Sequence, residues 1–179
     1  MKKEEAREIQ KKRILEIINR KEKEDTVRQK LLARISKYRK VIGYKADKWE
    51  IDLDSVWNHP ELKNIEFYYP RVVSKEEKII EFILPKSWFK GAYGLSEPNG
   101  ENKINPVDAD LLIIPSLGFN KNGFRLGRGA GYYDRALVGV ESKKMIGIGF
   151  SELFSIDFPS TSYDIRVGEL VTDLDILFF

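Results

Sequence analysis

From Gly118 to Leu137 the chain reads GFNKNGFRLGRGAGYYDRAL. Five glycines and Arg125, Arg128 and Arg135 stand beside a Tyr-Tyr-Asp, with no Ser, Cys or His in the stretch. Glycines let backbone N–H groups turn toward a ligand, and the planar fork of arginine can hold two oxygens of one phosphate. The chemistry this favours is a cradle for a polyphosphate. Two familiar phosphate loops do not match it. Gly118 and Gly123 have the glycine separation of a P-loop, but Phe124 and Arg125 follow where Lys and Ser or Thr are needed. Gly127 and Gly129 open a dinucleotide loop, but Tyr132 stands in place of its third glycine. By pattern alone the stretch also reads as a tight connector whose arginines face solvent. Asp134 has two readings as well. It is either a carboxylate serving the start of a helix or a ligand for Mg²⁺ held jointly with phosphate oxygens.

The totals narrow the chemistry further. The chain has no cysteine, and His59 is its one histidine. Thiolate catalysis, disulfides and multi-histidine zinc sites are therefore excluded. A net charge of +3 and a pI near 8.9 suit an anionic small molecule better than nucleic acid, which calls for a denser basic patch. The opening MKKEEAREIQKKR lacks the apolar core of a secretory signal. No apolar run approaches the length of a membrane span. The expected location is the cytoplasm, with no membrane partner.

These residues need a scaffold. Residues 3–20 read as an amphipathic helix with Ala6, Ile9, Ile14, Ile17 and Ile18 near one face. A second helix is expected over 25–38, capped by Asp25 or Thr26, with Val27, Leu31, Leu32, Ile35 and Tyr38 inward. Strands are expected at 40–45, 65–73, 78–84 and 169–173. Two more, at 108–115 and 144–150, are apolar enough to be buried on both faces. A short helix is expected over 52–62, broken near Pro60, and another from Gly131. Residues 85–107 read as a long loop, and Trp49, Trp57 and Trp88 as packing residues. Alternating strands and helices imply an α/β fold: one three-layer α/β/α domain over residues 1–179 with a mostly parallel central sheet. The glycine–arginine stretch then follows a strand end, where open α/β sheets bind ligands, and precedes a helix whose N-terminal end favours anions.

Arg125-Leu-Gly-Arg-Gly-Ala-Gly-Tyr-Tyr-Asp134, after Pro115-Ser-Leu-Gly-Phe119, resembles the signature of the 5-formyltetrahydrofolate cyclo-ligase family. Five further ordered segments are similar to that family. They are the basic start with Lys3, Arg7 and Arg13; Glu50-Ile-Asp52; Tyr69-Pro-Arg-Val-Val73; Tyr93-Gly-Leu-Ser-Glu-Pro98; and Pro159 to Asp164 followed by Thr172-Asp173. The sequence departs from the family pattern at Asn120, Ala130, Leu153, Tyr163 and Gly168. The last three are expected to cluster near the metal and substrate end.

The resemblance implies an enzyme that uses ATP and Mg²⁺ to cyclise 5-formyltetrahydrofolate to 5,10-methenyltetrahydrofolate; a monomer is expected. It implies that Lys3 and Arg7 close over the ATP phosphates, and that Arg125, Leu126, Gly127, Arg128, Gly129, Ala130, Gly131, Tyr132 and Tyr133 cradle them. Arg125 and Arg128 are the implied catalytic residues. Glu50, Tyr93, Arg128, Gly129 and Tyr132 are implied to bind the folate, and Asp134 and Asp164 the Mg²⁺. Two other classes stay open on the sequence: a non-catalytic nucleotide- or folate-binding protein of the same fold, and a nucleic-acid binder using the basic N-terminal helix.

Overall fold

The computed structural model describes residues 1–179. In chain order its elements are α1 (Lys3–Leu15), α2 (Arg20–Ile35), β1 (Lys40–Ile42), α3 (Asp54–Trp57), β2 (Glu66–Ser74), β3 (Ile79–Ile83), β4 (Ser87–Lys90), β5 (Ser96–Asn99), β6 (Lys103–Ile104), β7 (Leu111–Ile114), β8 (Gly118–Phe119), β9 (Arg125–Leu126), α4 (Tyr132–Ala136), β10 (Met145–Ile148), β11 (Glu169–Val171) and β12 (Ile176–Phe178). Eight strands form one sheet in the order β12-β11-β10-β7-β1-β2-β3-β6. The central five, from β11 to β2, are parallel. β12 closes one edge antiparallel, and β3 and β6 continue the other edge with antiparallel pairings. The sheet is thus mixed, with the expected parallel centre.

Strand side chains alternate faces, and the central strands feed a core on each side. Val41, Leu111, Ile113, Ile146, Ile148 and Val171 meet Ala6, Ile14, Val27, Leu31 and Ile35 of α1 and α2. Ile42, Leu112, Ile114, Met145 and Leu170 pack on the opposite face with Phe119 and Leu137. This is why β7 and β10 read as unbroken apolar runs: all four residues of each are buried. Gly147 lets Phe119 reach the sheet, since a Cβ there would lie 2.5 Å from the ring's Cζ.

Several boundaries differ from the expectation. The first helix ends at Leu15, and the second begins at Arg20. Asn19 makes the break in a left-handed conformation, φ 55°, which Asn tolerates better than most residues. The turn leaves Ile18 76 % exposed rather than packed. Asp25 and Thr26 lie inside α2 instead of capping it, and Thr26 Oγ1 donates to the carbonyl of Glu22 at 3.0 Å. Residues 85–107 are not a loop. They form the β4–β5 hairpin and β6, hidden from the sequence because β4 is exposed along its whole length and shows no apolar alternation. Trp57 is buried as expected, whereas Trp88 is 40 % exposed, edge-on to Tyr69 at 4.9 Å. His59 Nδ1 accepts from the N–H of Glu61 at 3.3 Å, a structural use at the turn containing Pro60.

The Gly147–Phe119 approach gives a stability test. Gly147→Ala should destabilise the protein by about 1–3 kcal/mol through overpacking, measured by denaturant unfolding. Adding Phe119→Leu should recover part of that loss. Strictly additive losses in the double variant would show that the ring is not what the methyl meets.

Candidate active site

A cavity of about 370 Å³ lies at the end of β7, and every site residue named from the sequence lines it. The loop after β7 is built first. β8 and β9 pair as a small hairpin, Gly118 with Leu126 and Phe119 with Arg125. Asn120 closes its turn, its Oδ1 accepting from the N–H groups of Asn122 and Phe124, both at 3.0 Å. That task needs only a side-chain oxygen, so Asn at this position keeps the turn. Arg125 Nε donates to the carbonyl of Pro115 at 2.6 Å, and its guanidinium lies 4.9 Å from the Tyr133 ring. Beyond it, Gly129 and Gly131 have φ of 102° and 76°, a region that costs other residues energy. Ala130 sits between them and lines the cavity. The helix that follows is shorter than the sequence suggests. With α4 only five residues long, little macrodipole accumulates, so the anion-binding capacity of the loop rests on its backbone turn and arginines.

Helix α1 closes one side. Lys3, Arg7 and Gln10 recur at helical spacing beside the buried Ala6 and Ile14. Arg7 Nε donates to the carbonyl of Gly127 at 2.8 Å, Lys3 Nζ pairs with the Asp164 carboxylate, and the buried Gln10 donates to the carbonyl of Leu153 at 2.9 Å. Gln10 was not singled out from the sequence. Its position one turn after Arg7 was the available signal.

Across the cavity, Arg128 Nη2 pairs with Asp47 and lies 3.1 Å from Glu50 Oε1. Glu50 Oε2 accepts from the N–H of Asp47 at 3.1 Å. Burial raises the Glu50 carboxyl above the usual range, and the Arg128 charge opposes that. Burial lowers the pKa of Arg125 and raises that of Tyr133. Tyr93, 60 % exposed and itself at positive φ, shares a hydrogen bond of 2.9 Å between hydroxyls with Tyr132. That bond pushes the Tyr132 phenol up to about 12. Lys75 and Lys78 lie 5.0 and 5.8 Å from the rings of Tyr93 and Tyr132. Lys45 and Glu97 also line the cavity, and Asp47 holds Arg128 without lining it; all three were missed. Asp47 stands in an ordinary polar run, and only its contact with Arg128 marks it.

Asp134 and Asp164 both line the cavity. No group of three or more His, Asp or Glu capable of holding a metal occurs anywhere in the molecule. Two carboxylates cannot make a closed cage, but they suit Mg²⁺, which completes its octahedron with phosphate oxygens and water. Asp164 Oδ2 already accepts from the Thr161 N–H at 2.7 Å and its hydroxyl at 3.1 Å, so a cation there competes with Lys3 for Oδ1. Of the departures expected near this end, only Tyr163 adjoins it. Leu153 is buried in the core. Gly168 precedes β11, at the opposite end of the parallel strands from the cavity, where a Cβ would lie 2.7 Å from the Ser142 carbonyl.

Residues 2–173 match the model of the 5-formyltetrahydrofolate cyclo-ligase family. The chain belongs to that family. A 5-formyltetrahydrofolate cyclo-ligase of Mycoplasma pneumoniae is 28 % identical over 170 residues, 92 % of this chain and 93 % of that one. The solved 5,10-methenyltetrahydrofolate synthetase of M. pneumoniae superposes with a TM-score of 0.78 at 26 % identity, covering 97 % of this chain and 99 % of that one. The synthetase of Aquifex aeolicus superposes with a TM-score of 0.82 at 29 % identity, covering 99 % and 93 %. The α/β fold and the cyclo-ligase class of enzyme are those of the family.

The Lys3–Asp164 pair ties α1 to the Asp164 turn, and its contribution to stability is sensitive to pH. Burial alone would raise the Asp164 carboxyl, but the Lys3 ammonium and the Thr161 donors together hold it below the usual range. A depressed carboxylate contributes stability above its unfolded pKa and loses it as pH falls through the folded value. Asp164→Asn should therefore melt below wild type at neutral pH, and the gap should close below about pH 4. A gap that stays constant with pH would mean that the ion pair contributes nothing to stability.

Proposed function

We propose that this cavity catalyses the ATP- and Mg²⁺-dependent cyclisation of 5-formyltetrahydrofolate to 5,10-methenyltetrahydrofolate, with release of ADP and phosphate. One observation carries the reading. Lys3 and Arg7 of α1 face the Arg125–Tyr133 loop across one cavity whose other wall holds Glu50, Tyr93 and Tyr132. Cations and loop N–H groups suit a polyphosphate; a carboxylate and two tyrosines suit a flat ring rich in N–H groups.

The chemistry needs both halves. A formamide carbonyl is a poor electrophile and its oxygen a poor leaving group. Transfer of the γ-phosphoryl group to that oxygen makes an activated ester and ADP. N10 of the same substrate then attacks the formyl carbon and gives up its proton, and the C–O bond breaks to release phosphate. No His, Cys or Ser nucleophile is involved, in keeping with a chain that has no cysteine and one remote histidine. The protein supplies position and charge.

Arg125 is anchored through Nε, which leaves the rest of its fork for the transferred phosphoryl group. Arg128 is 38 % exposed and held by Asp47 and Glu50. When Glu50 turns its oxygens to the pterin N–H groups, Arg128 is freed toward the formyl oxygen. Tyr93 stacks on the pterin, and Lys3 and Arg7 take the outer phosphates. Asp134 and Asp164 hold the Mg²⁺, which supplies charge neutralisation at the phosphates when bound. The same reading has residues 1–179 acting as one domain, as a monomer in the cytoplasm. No helix is long and apolar enough to cross a membrane.

The test is the near-ultraviolet absorbance of the conjugated methenyl product, with substrate, ATP and Mg²⁺ each omitted in turn. Product should appear only when all three are present. Arg128→Ala should lower kcat by about 10²–10³-fold, the usual cost of losing a donor to a developing oxyanion. A kcat within about twofold of wild type would remove Arg128 from transition-state stabilisation.

A further inference from the structure

Glu97 is the cavity carboxylate that these roles leave unused. It stands on β5, lines the cavity, and is only 6 % exposed. Three other carboxylates at the site have cationic partners: Asp164 has Lys3, and Asp47 and Glu50 have Arg128. Asp134, on the phosphate loop, already has an assigned role. Glu97 forms no ion pair. Its one hydrogen bond comes from the N–H of Val72, which donates to Oε2 at 3.2 Å. Oε1 accepts nothing, yet it is not fully enclosed: the one enclosed side-chain atom without a hydrogen bond is Glu169 Oε1, which is ion-paired to Arg34. Oε1 lies against Gly91, where a Cβ would come within 2.5 Å of it, while the residue as a whole lines the cavity. A carboxylate nine-tenths buried with no counter-ion is costly to keep, and a bound donor would offset that cost.

The surroundings indicate which ligand it serves. Gly91 makes room for the side chain, since a Cβ there would lie 2.1 Å from Glu97 Cδ. Gly91 also opens the short turn that carries Tyr93. The Glu97 charge reaches Tyr132, adding to the rise of that phenol. Glu97 thus belongs to the tyrosine side of the cavity. A negative group with no cation beside it repels phosphate but accepts readily from N–H.

We propose that Glu97 binds substrate, with Oε2 staying on the Val72 N–H while Oε1 accepts from an N–H of the folate's reduced pterin or its linker. The proposal rests on the cyclo-ligase reading and deepens it: Glu50 meets one set of ring donors and Glu97 another, so the ring is fixed from two sides.

Glu97→Gln separates this role from a structural one. The amide has one oxygen. If that oxygen remains on the Val72 N–H, an NH₂ group faces the substrate's N–H, donor against donor. The KM for 5-formyltetrahydrofolate should rise about tenfold, as for a lost hydrogen bond to a charged group. The KM for ATP and the melting temperature should match wild type. Calorimetric titration with 5-formyltetrahydrofolate alone should show the same tenfold loss. An unchanged folate KM and Kd would overturn the proposal. So would a parallel rise in both KM values with a lowered melting temperature, because pinning the β4–β5 hairpin to β2 would account for that. Wild type that binds folate without forming product would fail the cyclo-ligase reading alone, and the titration would still decide Glu97. Wild type that binds no folate would overturn both.

Discussion

The site depends on the docking of α1 across the phosphate loop. The helix is 13 residues long and rich in charge, at the length where isolated helices are marginal in water. Tertiary contacts must hold it. They are Ala6 and Ile14 in the core, Gln10 on the carbonyl of Leu153, Arg7 on the carbonyl of Gly127, and Lys3 on Asp164. Three of these five are polar and reach segments more than a hundred residues away. The cations that face the cavity also form part of the latch that closes it. Phosphate oxygens in the cavity would compete with Gly127 O and Asp164 for the same donors, so ligand binding and helix docking share one set of hydrogen bonds.

The same logic runs through the rest of the site. Arg125 is spent in part on Pro115 O, Arg128 on Asp47 and Glu50, and Lys45 on Asp54 at 2.8 Å. Each cation holds an oxygen of the protein before any ligand arrives. This keeps half-buried charges satisfied until a ligand oxygen takes over. Glu97 is the exception, a buried carboxylate with a backbone partner and no cation.

What the sequence made legible follows from what is local. The loop residues Arg125 to Asp134 carry their chemistry in their identities, and β7 and β10 announce themselves because burial on both faces leaves no polar position. The break at Asn19 was hidden because the apolar period runs on through Ile17 and Ile18, while a single left-handed residue redirects the chain. β4 and β12 were missed for a different reason. The first is exposed throughout and the second is a three-residue edge, so neither shows alternation. Asp47 was invisible as a site residue because its significance lies in Arg128, from another segment; Glu97 falls within the segment Tyr93–Pro98 that resembles the family, but its lack of a cation and its packing on Val72 and Gly91 show only in the fold.

The departures from the family pattern weigh less in three dimensions than along the chain. At Leu153 the contact that matters to α1 is the backbone carbonyl, which any residue supplies, and the side chain fills the core. At Gly168 the N–H donates to the carbonyls of Ser142 and Met145, at 2.8 and 3.1 Å, and a larger residue would meet Ser142. Glycine there permits a close backbone approach far from the cavity. Tyr163 does adjoin Asp164, but it is 86 % exposed, and the groups that hold Asp164 are Lys3 and Thr161. None of the three removes a charged or hydrogen-bonding group from the cavity wall. A binding protein that had lost turnover would be expected to show its losses there, among Arg125, Arg128, Asp134 and Asp164, and those four all line the cavity.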